Sequence, residues 1–352
     1  MEAETDIAPL PALPLQPLGT PWPTQAWPTG EIEPVSNRAA IDELAAGFFA
    51  PRSAVAMGAT HALLVVQGGR LVLERYAPDF GPDVTCHSWS MAKSITHALV
   101  GLAVGDGRLD VSRPADAPEW RTPGDPRGGI TLDQLLRMSS GLEFVEEYTP
   151  GQSSDVIEML FGSGKDDVAA FAAGKPLAHP PGGFMAYASG ATNIVSRRLG
   201  QALGPGGEAF GVFMRERLFD PLGMTSAQPR FDPAGTFIGS SYCFCTPRDF
   251  ARFGLLYLRD GVWDGRRLLP EGWVDYGRTP TWRQPDAVDG PYGAHWWLDA
   301  FGPGTFSANG YDGQFIILRP DRDLIVVRNG LMPQPAKNRL QGRLTKLVAL
   351  FD

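Results

Sequence analysis

Ser90-Met91-Ala92-Lys93 places a hydroxyl and an amine one helical turn apart, at the head of a strongly apolar run. The run continues through Ile95, Ala98, Leu99, Leu102 and Ala103 until Gly105-Asp106-Gly107 stops it, a periodicity that predicts a helix. Residues i and i+3 share a helix face, so the Ser90 hydroxyl and the Lys93 amine can meet. Both sit in the first turn, where unpaired backbone N–H groups carry partial positive charge. That charge and desolvation lower a lysine pKa, and a neutral lysine can take the proton of a serine. Taken alone, the four residues also fit a buried helix start, with Ser90 as cap and Lys93 reaching to solvent. The rest of the chain separates the two readings.

Upstream, residues 61–75 read as two strands around a Gly68-Gly69 turn, a β-hairpin. A helix is expected over Ile41 to Phe49, with Ser36 or Asn37 as its cap. Before it, Pro9, Pro11, Pro14, Pro17, Pro21, Pro23, Pro28 and Pro34 exclude a regular helix or a central strand. That arm, residues 1–35, is expected to wrap the surface with Trp22 and Trp27 as anchors, or to be partly disordered.

Downstream, residues 105–260 read as mostly helix and loop, including helices opened by Thr131 and running from Asp249 to Tyr257. Strand character returns at Gly293 to Leu298, Gln314 to Leu318 and Leu324 to Arg328, with a turn at Pro320-Asp321. A final amphipathic helix, Asn338 to Phe351, buries Leu340, Leu344, Leu347 and Val348. The fold class is therefore mixed α/β (α+β). Both chain ends, about 36–104 and 261–352, build one antiparallel sheet with flanking helices, and a mainly helical subdomain, about 105–260, is inserted between them.

At 352 residues the chain can bury a large core. Its 31 basic and 39 acidic residues give a formal charge of −8, which argues against a nucleic-acid partner. No apolar run is long enough to cross a bilayer, so no membrane partner is expected. The acidic start, Met1 to Asp6, lacks the basic and apolar regions of a signal peptide, and the expected location is cytoplasmic. Cys86, Cys243 and Cys245 give no disulfide framework, and the i, i+2 spacing of the last two fits one face of a strand. The five histidines show no ligand pairing, so neither metal nor cofactor is expected.

Two later stretches join Ser90–Lys93. Pro180-Pro181-Gly182-Gly183 leads through Tyr187-Ala188-Ser189 into a helical run, and Ala308-Asn309-Gly310-Tyr311 lies on a Gly-bearing strand and turn. In this order and spacing the three resemble the motifs of the serine β-lactamase and penicillin-binding-protein superfamily. They are nearest to the branch of class C β-lactamases, family VIII carboxylesterases and 6-aminohexanoate-dimer hydrolases. The resemblance extends from about residue 40 to the C-terminus through Ile130 to Leu142, Thr246 to Leu256 and Tyr292 to Trp297.

The resemblance implies a serine hydrolase working through an acyl-enzyme on a small ester or short amide. Ser90 is the implied nucleophile, Lys93 its base and Tyr187 the proton relay, with the choice of base between Lys93 and Tyr187 open. The backbone N–H groups of Ser90 and Tyr311 are the implied oxyanion hole. Ser189, Asn309 and Gly310 belong to the second and third motifs. Tyr148, on the acidic Glu146-Glu147-Tyr148-Thr149-Pro150 stretch, and Trp297 are candidate substrate contacts; a solvated loop and a core tryptophan are the plainer readings. Two departures matter: the second motif has Ser189 where many β-lactamases have Asn, and the third has Ala308 where lysine is usual. Loss of that lysine predicts poor β-lactam turnover. A D-Ala-D-Ala-type peptidase, an acyltransferase or a non-catalytic binding module on the same scaffold are the alternatives. Oligomeric state is not legible.

Overall fold

The computed structural model describes residues 9–149, 151–204, 206–281 and 291–352; the acidic Met1 to Asp6 start and Pro150 lie outside them. Alternate residues of the first hairpin go to opposite faces of a sheet, as a period of two requires. Its strands are Thr60–Gln67 (β1) and Arg70–Tyr76 (β2). Gly68 and Gly69 join them with φ of 57° and 71°, the left-handed pair that a two-residue hairpin turn demands. The chain returns as Trp297–Leu298 (β3), Phe306–Gly310 (β4), Gln314–Arg319 (β5) and Leu324–Gly330 (β6). These form one antiparallel sheet in the order β2-β1-β6-β5-β4-β3, so the two chain ends meet at the β1–β6 pair.

Leu63, Val65, Phe315, Ile317, Leu324 and Val326 face one apolar layer. Helices Arg38–Phe48 (α1) and Lys337–Ala349 (α5) cover it with Ile41, Ala45, Phe48, Leu340, Leu344 and Leu347. The neighbours Leu64, Val66, Ile316, Leu318, Ile325 and Val327 face the other layer. There lie Met91–Gly105 (α2), Ser189–Leu203 (α3) and Pro247–Leu258 (α4). Both faces are buried, so the strands read as continuous apolar runs. Helix α2 is buried from Met91 to Ala103, touching β4 and β5 on the sheet side and α3 on the other. A helix buried on every side belongs in such a place.

Residues 105–260 are mostly helix and loop, and they also carry strand pairing. Cys243–Cys245 pairs with Cys86–His87 and with Gln228–Pro229. Both cysteines are fully buried on this short strand, as their spacing suggests, and none of the three is bridged. The helix expected at Thr131 spans Leu132–Leu136 and opens with a reciprocal cap between Thr131 and Gln134. Residues of the proline-rich arm lie extended along the surface. Trp27 donates its Nε1–H to Arg248 O at 3.2 Å, and Trp22 packs on Trp263 with ring centroids 5.0 Å apart. Thr29 bridges Leu71, so the arm covers part of the β2 edge.

Two expectations are corrected. Asn37 sits at the start of α1 without capping it; its side-chain amide donates to Leu350 O at 2.5 Å and ties α1 to the C-terminus. Of the strand expected at Gly293 to Leu298, only Trp297–Leu298 pairs in the sheet. The preceding residues fold back, with Gly293 N donating to Trp296 O at 2.9 Å and His295 at φ 56°. Complete burial of Trp296 and two hydrogen bonds to the His295 ring outweigh the apolar, β-rich composition.

Close packing of α4 on the sheet is testable at Gly254, where a Cβ would lie 2.9 Å from Ile316 Cγ2 and 3.2 Å from Ile325 Cγ2. Gly254→Val is expected to cost about 1–3 kcal/mol by overpacking, read as a lower urea midpoint at unchanged m. Gly342→Ala in α5, where a Cβ meets nothing within 4 Å, is expected to gain up to about 1 kcal/mol.

Candidate active site

The segment entering α2 is over-determined. Ser88 Oγ donates to Ser241 O at 3.2 Å and accepts from Cys243 N at 3.0 Å. Trp89, packed on the His87 ring at 4.0 Å, takes φ 43°, a left-handed value that a bulky side chain avoids. Such a residue costs about 1–3 kcal/mol and persists only where its surroundings hold it. Its effect is to turn the chain from the Cys86–His87 strand directly into α2, with Ser90 at the corner.

Ser90 makes no capping bond, and its hydroxyl accepts from Lys93 Nζ at 3.0 Å. Lys93 does not reach to solvent: it is 2% exposed. Its amine has two further acceptors, Ser189 Oγ and Ser240 O, each at 3.0 Å. Three acceptors match the three donors of an ammonium group. Burial nevertheless pushes the Lys93 pKa down from 10.5 to about 8, against the charge of Glu146, which raises it.

Glu146, on the acidic stretch that reads in sequence as either a substrate-contacting or a solvated loop, is a hub. Its carboxylate accepts from Ser189 Oγ at 2.6 Å, Ser189 N at 2.8 Å and Tyr148 Oη at 2.6 Å. Tyr148 is held far above the usual phenol range by burial and by that carboxylate. The Ser189 hydroxyl thus links Lys93 to Glu146. Tyr187 presents its ring 4.8 Å from Lys93 Nζ and stacks on Trp297, with ring centroids 5.2 Å apart.

From the sheet side, β4 brings Asn309 and Gly310 against the Ser90 corner. A Cβ on Gly310 would lie 2.4 Å from Ser88 O, so only glycine permits this approach. Tyr311 follows in a tight turn with Asp312 at φ 60° and Gly313 at φ 75°. Arg328, fully buried in β6, holds that turn: it donates to Asp312 O at 3.0 Å, Gly313 O at 2.8 Å and Ala59 O at 2.9 Å. Burial pushes its pKa down to about 9.

The residues singled out in the sequence come together. Ser90, Tyr148, Tyr187, Trp297, Asn309, Gly310 and Tyr311 line one cavity of about 360 Å³. Lys93 and Ser189 are buried behind it, reaching it through Ser90 and Glu146. The sequence reading missed Glu146 as hub, Ser240 O and Arg328. It also missed Lys337, which lines the cavity from the start of α5, so Ala308 does not leave the cavity without a cation. An arginine directly after the apolar run Leu324 to Val327 was the one available signal; a main-chain carbonyl offers none.

Other candidates fall elsewhere. His295 is a core histidine, paired through its ring nitrogens with Lys93 O and Thr192 Oγ1, and burial pushes its pKa down to about 3. Asp167 caps the helix Val168–Ala173. Among the described residues no group of three or more His, Cys, Asp or Glu could hold a metal ion, and no helix is long and apolar enough to cross a membrane.

Comparison with known proteins places the chain in a family. A 6-aminohexanoate-dimer hydrolase of Paenarthrobacter ureafaciens is 25% identical over 303 residues, covering 80% of this chain and 75% of that one. A Bacillus anthracis protein provisionally named a 6-aminohexanoate-dimer hydrolase superposes with a TM-score of 0.73 at 21% identity, covering 94% and 89% of the two chains. A family VIII carboxylesterase gives a TM-score of 0.64 at 15% identity over 91% of this chain and 99% of that one. Residues 51–342 match the Beta-lactamase family model, and the chain belongs to that family of hydrolases.

Proposed function

We propose that this chain is a serine hydrolase that cleaves small carboxylic esters, and short amides after them, through an acyl-enzyme on Ser90. The observation that carries the reading is the Lys93 amine, 2% exposed and 3.0 Å from Ser90 Oγ. As an ammonium it donates three hydrogen bonds; as a neutral amine it donates two and offers a lone pair. Ser189 Oγ and Ser240 O take the two donors, leaving the lone pair for the Ser90 proton.

Ser90 Oγ then attacks the carbonyl carbon while the backbone N–H groups of Ser90 and Tyr311 receive the developing oxyanion. The tetrahedral adduct collapses as the bond to the leaving group breaks, and the proton passes to that group through Tyr187. Water, activated by the same bases, attacks the ester on Ser90 and frees the acid. The relatives named for hydrolysis of a 6-aminohexanoate dimer and for carboxylesterase activity support this class.

The test is hydrolysis of p-nitrophenyl butyrate. Ser90→Ala and Lys93→Ala are each expected to lower kcat by at least about 10³-fold, because the two act as a unit. Tyr187→Phe is expected to lose about 10²-fold or more with the fold intact. Turnover surviving in Ser90→Ala would remove Ser90 as nucleophile, and none in wild type would point to a narrow amidase or a binding module.

The pH dependence follows from Lys93. Below about 8 the amine is charged and cannot accept a proton, so kcat/KM is expected to rise with pH through about 8. Glu146 raises the Lys93 pKa, so Glu146→Gln is expected to move the rising limb to lower pH. A limb that moves upward, or stays in place, contradicts the assignment of Lys93 as base.

A further inference from the structure

Ser90 lines a second cavity, of about 110 Å³, bounded by Trp89, Ile157, Leu160, Phe161 and Ser241. Tyr148 and Tyr311, with ring centroids 4.9 Å apart, line both cavities. The two differ in chemistry. Glu146, Asn309 and Lys337 line the larger, whereas among the described residues no charged side chain lines the smaller.

The apolar wall comes from the helix Asp155–Phe161, whose inner face buries Val156 and Met159. Ile157 and Phe161 are i, i+4 on that helix and share a face. They remain 42% and 53% exposed. Large apolar side chains exposed together beside a nucleophile mark a binding surface more readily than a packing accident.

We propose that the smaller cavity is the acyl pocket and the larger the leaving-group pocket, selecting uncharged aliphatic acyl groups of fewer than about six carbons. The assignment rests on the Ser90 hydrolase reading above. A carbonyl carbon bonded to Ser90 Oγ carries the acyl chain on one side and the leaving group on the other. The leaving group departs with a proton, so it lies on the side of the donor. Tyr187 lines the larger cavity and not the smaller. The acyl chain therefore points the other way, toward Ile157, Leu160 and Phe161. Size sets the limit: an apolar cavity of about 150 Å³ admits one benzene ring, and this one is smaller.

The test is kcat/KM for p-nitrophenyl esters from acetate to decanoate, with wild type, Ser90→Ala, Phe161→Ala and Ile157→Trp. Both pocket side chains are surface-exposed, so neither substitution disturbs the core; far-UV circular dichroism checks this. Wild type is expected to peak near butyrate and fall at least about tenfold by octanoate. Phe161→Ala is expected to move the optimum to longer chains and Ile157→Trp to shorter ones, while preference among alcohol leaving groups stays fixed in butyrate esters. Ser90-dependent turnover whose chain-length profile neither variant moves, or a shift in leaving-group preference instead, overturns the pocket assignment alone. Absence of Ser90-dependent turnover for every ester overturns the hydrolase reading and the pocket with it.

Discussion

Everything in this site follows from holding the Lys93 amine away from water. Burying an isolated ammonium costs several kcal/mol even after relaxation, and the protein meets that cost in two ways. It supplies one acceptor for every N–H, and it lets the group lose its charge. The acceptors come from three places: Ser90 on the same helix, Ser189 at the head of α3, and Ser240 just before the Cys243–Cys245 strand. Helix α2 must therefore lie fully inside, between the sheet and the inserted helices. A fall in pKa from 10.5 to about 8 favours the neutral amine by about 3 kcal/mol. Desolvation outweighs the charge of Glu146, whose carboxylate accepts from Ser189 and Tyr148 rather than from the Lys93 amine itself.

Local sequence carried the parts of the fold that local physics decides. Gly68-Gly69 between two apolar runs can hardly be anything but a hairpin turn. The apolar stretch after Ser90 is too continuous for a surface helix. The site was legible to the same extent, as three short motifs whose order and spacing bring Ser90, Tyr187 and Asn309 to one cavity. What escaped is what depends on distance along the chain. Glu146 joins Ser189 across 43 residues, and Arg328, on the interior strand β6, reaches the Asp312 and Gly313 carbonyls in the β4–β5 turn. The Gly293 to Trp296 turn escaped for a related reason. Its residues are apolar and strand-like in composition, and only the remote partners of His295 show why they fold back.

Aim is a separate problem from protonation, and the chain solves it with backbone. Trp89 at φ 43° swings Ser90 to the corner, and Gly310 lets β4 close to within reach of Ser88 O. On the opposite wall, Asp312 and Gly313 both take left-handed conformations, which the buried Arg328 fixes by their carbonyls. Strain and close approach thus meet on two sides of Ser90. Sites that must present main-chain N–H groups at a set point are built this way, because side-chain freedom would blur the geometry.

The two departures from the usual motifs make sense together with their surroundings. A serine at position 189 accepts from Lys93 and donates to Glu146 through a single oxygen, over 3.0 Å and 2.6 Å. The carboxylate is thereby brought near Lys93 without touching it. At position 308 the alanine side chain is 1% exposed and packs in the core layer shared with α2 and α4. A lysine there would have to carry its charge out of that layer, so the cavity takes its cation from α5 at Lys337 instead. That cation stands on the same wall as Met332 and Gln334, in the segment after β6. The position of Lys337 on the cavity wall therefore depends on how the C-terminal helix docks on the sheet, through Leu340 and Leu344.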